Sequence, residues 1–328
     1  VTNPLVSIVI ATYNLGRYLP ETLDSALAQT HPLTEIIVID DGSTDDTGAA
    51  IHPYLSRIRF RRIEHAGLAA ARNTGLRMAT GEYIALLDAD DLWLPEKLAV
   101  QLDVARRHPQ SGMIVCDGGE FGSPTSRRYL LSGAAADALR QSPTGEITSQ
   151  FHRGFIRHVN IRCPAQTLIP RRVMEQVGPF ADFYAQDYNY YLRLSARFPV
   201  TFHRNSLVRW RDREQSMSGA RSLRELTWSR QKLMVLRDYI SSEDPIFRQD
   251  LASQIIWNRA EIAFHYGELF RRSRATRALL MLLRKQPWPP KALPFLLAHA
   301  APGLARSVHK AWRETLLPWL NRGDHALR

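Results

Sequence analysis

Residues 83–94 read YIALLDADDLWL, and this stretch decides the fold. The apolar run 83–87 has the makeup of a buried strand. It ends abruptly in three carboxylates, Asp88, Asp90 and Asp91, and then meets Trp93 and Pro95. Buried like charges without partners are costly. The acids therefore belong at the strand's carboxyl end, over a cleft, sharing a cation. In an extended chain Asp88 and Asp90 point one way and Asp91 the other. Two carboxylates on one face suit a hard divalent ion that takes further oxygens from a phosphate. The competing reading is a solvated turn before a helix N-terminus, where acids favour the dipole.

The flanking chain favours the cleft. Residues 6–11 (VSIVIA) read as a buried parallel strand that ends in the loop Thr12-Tyr13-Asn14-Leu15-Gly16. Leu19, Leu23, Ala26 and Leu27 then recur at helical spacing. Residues 35–40 (EIIVID) form a second strand, ending in Asp40-Asp41-Gly42-Ser43. A short helix to about Leu55, a strand near 58–63 and an Ala-rich helix over 67–79, with Gly75 allowing close packing, lead back to residues 83–94. A helix over 95–107 and a strand over 113–116 follow. Alternating strands and helices predict a doubly wound α/β sheet, whose ligands bind over the carboxyl ends of the strands. Three strands end in polar clusters, and in a parallel sheet those ends share one edge. No GxGxxG follows the first strand and no Walker lysine loop is present, which disfavours dinucleotide oxidoreduction and P-loop chemistry.

Residues 117–164, rich in Gly, Ser and Pro and with little periodicity, read as a long, partly ordered insertion over the cleft. A short helix over 170–180 ends at Gly178, and Asp187 opens another helix. Short strands are expected at 200–203 and 207–211, and from Leu223 the pattern is almost wholly helical.

With 328 residues, 45% hydrophobic and 23% charged, the chain fits an ordinary globular protein with room for two domains. Two cysteines, Cys116 and Cys163, make no framework and no metal spacing, which points to a reducing compartment. Neither a secretory signal nor a spanning segment is expected. The net charge of +11 is split: −4 through Gln110 and +15 beyond it. An acidic front and a basic back suggest an anionic surface met by the back alone, rather than nucleic acid.

Four segments, VSIVIATYN (6–14), IDDGSTDDT (39–47), GLAAARNTG (67–75) and GEYIALLDADD (81–91), resemble in order the motifs of family 2 inverting glycosyltransferases. Gln186-Asp187 resembles the place of that family's Glu-Asp pair, and 210–218 (WRDREQSMS) its closing element. The resemblance implies a GT-A fold, a Rossmann-like, mostly parallel sheet flanked by helices, over residues 1–220. A basic helical region, 221–328, follows it. It also implies a nucleotide-diphosphate-sugar donor, a divalent ion (Mn2+ or Mg2+), a glycan or lipid-linked acceptor in cell-surface polysaccharide synthesis, and inversion. On it Ala11, Thr12 and Tyr13 lie beside the nucleotide, and Asp41 accepts the N3–H of uracil or thymine. Arg72 sits near the diphosphate, and Asp88 and Asp90 form the metal motif with Asp90 the direct ligand. Trp93 and Gln186 lie near the acceptor, and Asp187 is the base. Arg211 and Arg213 face phosphate. Two departures stand out: His65 where the family often has Asn, and Arg213 in place of the closing element's His. Arg213 cannot ligate a cation but can pair with phosphate.

The chemistry stands without the family. Sugar–phosphate cleavage builds negative charge on the leaving oxygens, which a bound cation stabilises. The acceptor hydroxyl needs a base. A single carboxylate fits inversion, since double displacement needs a second nucleophilic one.

The last third, 223–328, holds 18 basic and 9 acidic residues. It fits amphipathic helices on an anionic membrane surface, or a helical subdomain with solvated basic residues. The expected location is cytoplasmic, peripheral on the inner face of the membrane, with no nucleic-acid partner. Alternatives are a degenerate sugar- or lipid-binding scaffold and a sugar-phosphate nucleotidylyltransferase. The latter wants a Gly-rich basic loop where Thr12-Tyr13-Asn14-Leu15-Gly16-Arg17 stands.

Overall fold

The computed structural model describes residues 3–122, 134–149, 161, 163–182, 185–213 and 235. The chain divides into two compact units, Val1–Arg213 and Glu214–Arg328. The expected boundary at 220/221, the helical tail with its membrane surface and the end of the closing element lie outside the described residues.

The first unit is a mixed α/β fold around one curled sheet. Its chain order opens with β1 (Val6–Thr12), α1 (Leu19–Leu27), β2 (Thr34–Asp40), α2 (Thr47–Ile51), β3 (Arg59–Arg62), α3 (Leu68–Met78) and β4 (Tyr83–Asp88). Then come β5 (Leu92–Trp93), α4 (Lys97–Arg107), β6 (Met113–Phe121), α5 (Ala134–Gln141) and β7 (Glu146–Ser149). The unit ends with β8 (Thr167–Pro170), α6 (Arg171–Val177), α7 (Gln186–Ser195) and β9 (Val200–Arg211). Strand order is β3-β2-β1-β4-β8-β6-β9-β5, with β7 also on β9. Pairs β1/β2, β1/β4, β2/β3 and β6/β9 are parallel. β8 runs antiparallel between β4 and β6, so β4 and β6 point the same way.

β1 is buried along nearly its whole length because helices cover both of its faces. Val6, Ile8 and Ile10 pack into a core with Leu19 and Leu23 of α1 and Leu98 and Leu102 of α4. Val9 faces α3 on the other side, where a Cβ added to Gly75 would sit 2.3 Å from Val9 Cγ1. The glycine lets helix and sheet approach, as the sequence suggested. Both cysteines are buried thiols, and burial pushes Cys116 up to about 12.

Three expectations change. The segment after β4 is a turn, not extended chain: Asp91 N–H donates to the Asp88 carbonyl at 3.0 Å. The stretch 117–164, expected to be partly ordered with little periodicity, carries regular elements. β6 runs on to Phe121, α5 follows, and β7 pairs antiparallel with β9. The two short strands near 200–211 are one strand, β9, whose pairing with β6 slips around Asp117 and leaves Arg204, Asn205 and Ser206 exposed.

Candidate active site

Parallel pairing brings three strand ends to one edge. Ala11 of β1 lies opposite Asp88 of β4, and Thr12 lies opposite Asp40 of β2. Asp41 N–H donates to the Thr12 carbonyl at 2.9 Å, which ties the two loops together. Asn14 fastens them further: its N–H donates to Ser43 Oγ at 2.9 Å, and its Oδ1 accepts from Thr44 N–H at 2.7 Å.

Asp41 is buried, and its carboxylate holds the following loop. Oδ1 accepts from Ala66 N–H at 2.8 Å, Oδ2 from Gly67 N–H at 2.9 Å, and His65 Nδ1 lies 2.9 Å from Oδ2. The His65 ring stacks on Tyr13, with centroids 4.1 Å apart. Tyr13 is 41% exposed, so the stack presents an open aromatic face at the strand edge. The change at His65 therefore adds both a ring for that stack and a donor for Asp41.

Each acid of the Asp88–Asp91 turn meets an arginine. Arg72, buried on α3, places Nη2 at 2.6 Å from Asp88 Oδ1. Arg213 places Nε at 2.6 Å from Asp90 Oδ2. Arg211 gives its backbone N–H to Asp91 Oδ1 at 3.0 Å and its Nε to the Asp90 carbonyl at 2.9 Å. Its other arm pairs with Glu21, and its guanidinium lies over the Tyr18 and Phe121 rings at 5.0 and 4.4 Å. Arg211 is thus committed as a strut between β9, the acidic turn and α1, rather than open to phosphate as expected. Arg72 spends an arm on Asp88 and lies 5.8 Å over the Phe180 ring.

Burial pushes Asp90 up from the usual carboxylate range, Arg213 opposes the shift and Asp88 adds to it. Asp91, buried beside Asp88 and Asp90, rises well above that range. Carboxyl groups are therefore crowded at this turn, and the oxygens they offer are hard donors. That donor set fits a divalent cation at Asp90 and Asp88, with its remaining oxygens supplied from outside the protein. Among the described residues no group of three or more His, Cys, Asp or Glu side chains is arranged to hold a metal ion.

Asp187 sits in the first turn of α7, half-buried, with Oδ1 accepting from Tyr188 N–H at 2.8 Å. Burial raises it above the usual range, Arg72 and the Tyr188 N–H pull it back, and Asp88 pushes it up again. Arg72 feels both Asp88 and Asp187, which hold its guanidinium charged despite burial. Gln186 is buried with Oε1 unpartnered among the described residues.

Trp93, expected beside the acceptor, is corrected: it is a core side chain. It is 3% exposed, Nε1 donates to the Ala165 carbonyl at 3.0 Å, and Lys97 Nζ lies 3.9 Å from its ring. Its pairing in β5 against β9 turns it inward.

Sequence reasoning missed two supports. Asn73 and Phe180 exchange two hydrogen bonds of 2.9 Å, which pin the approach to Asp187 onto α3. Tyr18 lies under the guanidinium groups of Arg211 and Arg213. Asn73 sits inside a quoted motif and was legible as a polar residue in an Ala-rich helix. Nothing in the sequence marked Tyr18.

Residues 7–178 match the model of Glycosyl transferase family 2. An uncharacterized glycosyltransferase of Rickettsia felis is 30% identical over 214 residues, 63% of this chain and 34% of the relative. An Escherichia coli protein named UDP-Glc:alpha-D-GlcNAc-diphosphoundecaprenol beta-1,3-glucosyltransferase WfaP is 46% identical over 100 residues, 30% of this chain and 40% of that one. The matched region thus spans about a third of the length of the first curated relatives. Among solved structures, Staphylococcus aureus TarS 1–349 in complex with UDP-GlcNAc superposes with a TM-score of 0.61 at 16% identity, covering 94% of this chain and 92% of that one. The mannosyltransferase PcManGT of Pyrobaculum calidifontis, in complex with GDP-Man and Mn2+, gives 0.59 at 20% identity, covering 94% and 83%. Both share the GT-A fold.

Proposed function

The chain belongs to glycosyl transferase family 2, and from that premise we propose that it moves a sugar from a nucleotide-diphosphate donor to a hydroxyl of a glycan or lipid-linked acceptor, with inversion at the sugar carbon. The observation that carries this reading is the meeting at one sheet edge of the β1, β2 and β4 ends, with Arg72 joining Asp88 to Asp187 electrostatically. In the proposal the Ala11–Thr12–Tyr13 loop and the His65 stack receive the base, and Asp41, whose carboxylate also braces Ala66 and Gly67, accepts the N3–H of uracil or thymine. Asp90, with Asp88, holds the divalent cation. When bound, that cation supplies Lewis-acid stabilisation of the charge growing on the leaving diphosphate. Arg213 adds a guanidinium on the same side. Asp187 takes the proton of the attacking hydroxyl. Its raised basicity suits that task, since a base works best with a pKa near the operating pH. A single base on the far side of the sugar gives inversion, because no covalent glycosyl intermediate is formed.

The same proposal assigns residues 1–220 to the catalytic domain and 221–328 to a basic helical region that meets an anionic membrane surface. The tail's excess of basic residues supports it, as does the diphosphoundecaprenol acceptor in the name of WfaP. Among the described residues no helix is long and apolar enough to cross a membrane. A role in cell-surface polysaccharide synthesis follows from such an acceptor.

The test is calorimetric titration of UDP with Mn2+ present and then with EDTA. Metal-dependent binding is expected. Binding of GDP or dTDP in place of UDP would keep the site and change the base. The Arg213–Asp90 pair favours one alternative, a sugar- or lipid-binding scaffold with a closed donor site. Absence of binding by every nucleotide would decide for that scaffold.

A further inference from the structure

Arg213 stands on the carboxylate that the proposed function gives to the metal. Its Nε lies 2.6 Å from Asp90 Oδ2, and the pair is mostly shielded, with side chains 20% and 14% exposed. The guanidinium also lies 5.4 Å over the Tyr18 ring. Among the described residues no other guanidinium reaches the Asp90 carboxylate, because Arg72 pairs with Asp88 and the Arg211 side chain bonds the Asp90 carbonyl and Glu21.

We propose that Arg213 is a placeholder for the divalent cation: it occupies Asp90 in the donor-free protein and moves to the diphosphate when donor and metal bind. This rests on the reading of Asp88 and Asp90 as the metal motif. Arg213 and the ion compete for the same negative charge. A guanidinium and a divalent ion on one carboxylate oxygen repel each other at short range, so the ion binds weakly while Arg213 remains. A diphosphate offers the guanidinium a better, bidentate acceptor. Its arrival frees Asp90 and adds phosphate oxygens for the ion. Metal and nucleotide therefore bind cooperatively, each strengthening the other by the same factor. The device keeps the Asp90 carboxylate paired between turnovers.

Mn2+ binding to the full chain, read from the electron paramagnetic resonance signal of the free ion, tests this without any turnover. In the wild-type protein Mn2+ alone binds weakly, and saturating UDP strengthens it by about tenfold or more. In Arg213→Met, which keeps the apolar stem, Mn2+ alone binds about tenfold more tightly than in wild type, and UDP adds less. Arg213→Lys, which keeps the charge, falls between them and serves if the Met variant does not fold. Unchanged affinity for Mn2+ alone in these variants, with UDP enhancement intact, overturns the placeholder and leaves the metal site standing. Absence of Mn2+ binding by wild type with or without UDP overturns both.

Discussion

Arg72 Nη2 and Asp88 Oδ1 lie 2.6 Å apart, joining the middle of α3 to the carboxyl end of β4. Arg72 is 4% exposed, so the pair is held largely out of water. Breaking such a pair from one side strands the other charge. Arg72→Met is expected to cost about 2–3 kcal/mol in urea denaturation, less than a fully buried pair because Asp88 retains some contact with water. Adding Asp88→Asn removes the stranded charge and should restore part of the loss. A double variant less stable than the sum of its singles would refute the pairing as the source.

Asp187→Asn should lower nucleotide release from the donor in the presence of acceptor by about 10²–10⁴-fold. UDP affinity with Mn2+ should change little, because the side chain serves the acceptor. The base must be ionised to work, so activity falls as pH drops through its pKa. Burial raises that pKa, and the acid limb of kcat/KM should lie above the ordinary carboxylate range. Near-normal turnover in the variant would remove Asp187 from the role.

The legible parts of the fold were those set by local pattern. The apolar runs of β1, β2 and β4 are short and bounded by turn residues, which favours buried strands, and the acids after them mark the edge where the sheet opens. Long-range pairing was not legible. β8 has four residues, Thr167–Pro170, and nothing in so short a run says that it enters antiparallel between β4 and β6. Alternation along an extended chain would put Asp88 and Asp90 on one face, whereas a turn carries them. Trp93 failed for a related reason. The family resemblance implies a place near the acceptor, yet pairing of β5 with β9 decides which way the ring faces. Arg211 and Arg213, two residues apart, look alike in sequence. One is a strut and the other sits on Asp90, and only the tertiary contacts separate them.

Gly75→Ala tests the closeness of α3 to β1. The added methyl would meet Val9 Cγ1 at 2.3 Å and Ile39 Cγ1 at 3.4 Å. Overpacking of this kind costs about 1–3 kcal/mol, against a helix-propensity gain of about 1 kcal/mol. A net loss in denaturant is expected, and Val9→Ala in the same chain should recover part of it. A Gly75→Ala protein as stable as wild type would mean that helix and sheet separate at little cost.

Lys97 gives a pH-dependent prediction with a definite sign. It is buried, its Nζ donates to the Thr167 carbonyl at 3.3 Å and sits over the Trp93 ring, and burial pulls it down to about 8. Below that pH the lysine is charged both folded and unfolded, and the full cost of burying the charge is present. Between about 8 and the ordinary lysine value the folded state gives up its proton first, so stability rises with pH there. Lys97→Met keeps the length of the side chain and removes the charge. Allowing about 3 kcal/mol for the charge and about 1 kcal/mol for the lost hydrogen bond, the variant should be more stable by about 2 kcal/mol at pH 7. Urea denaturation at pH 7 and pH 10 checks it. The advantage should shrink at the higher pH, and an advantage that grows would reverse the assignment of the buried charge as the source.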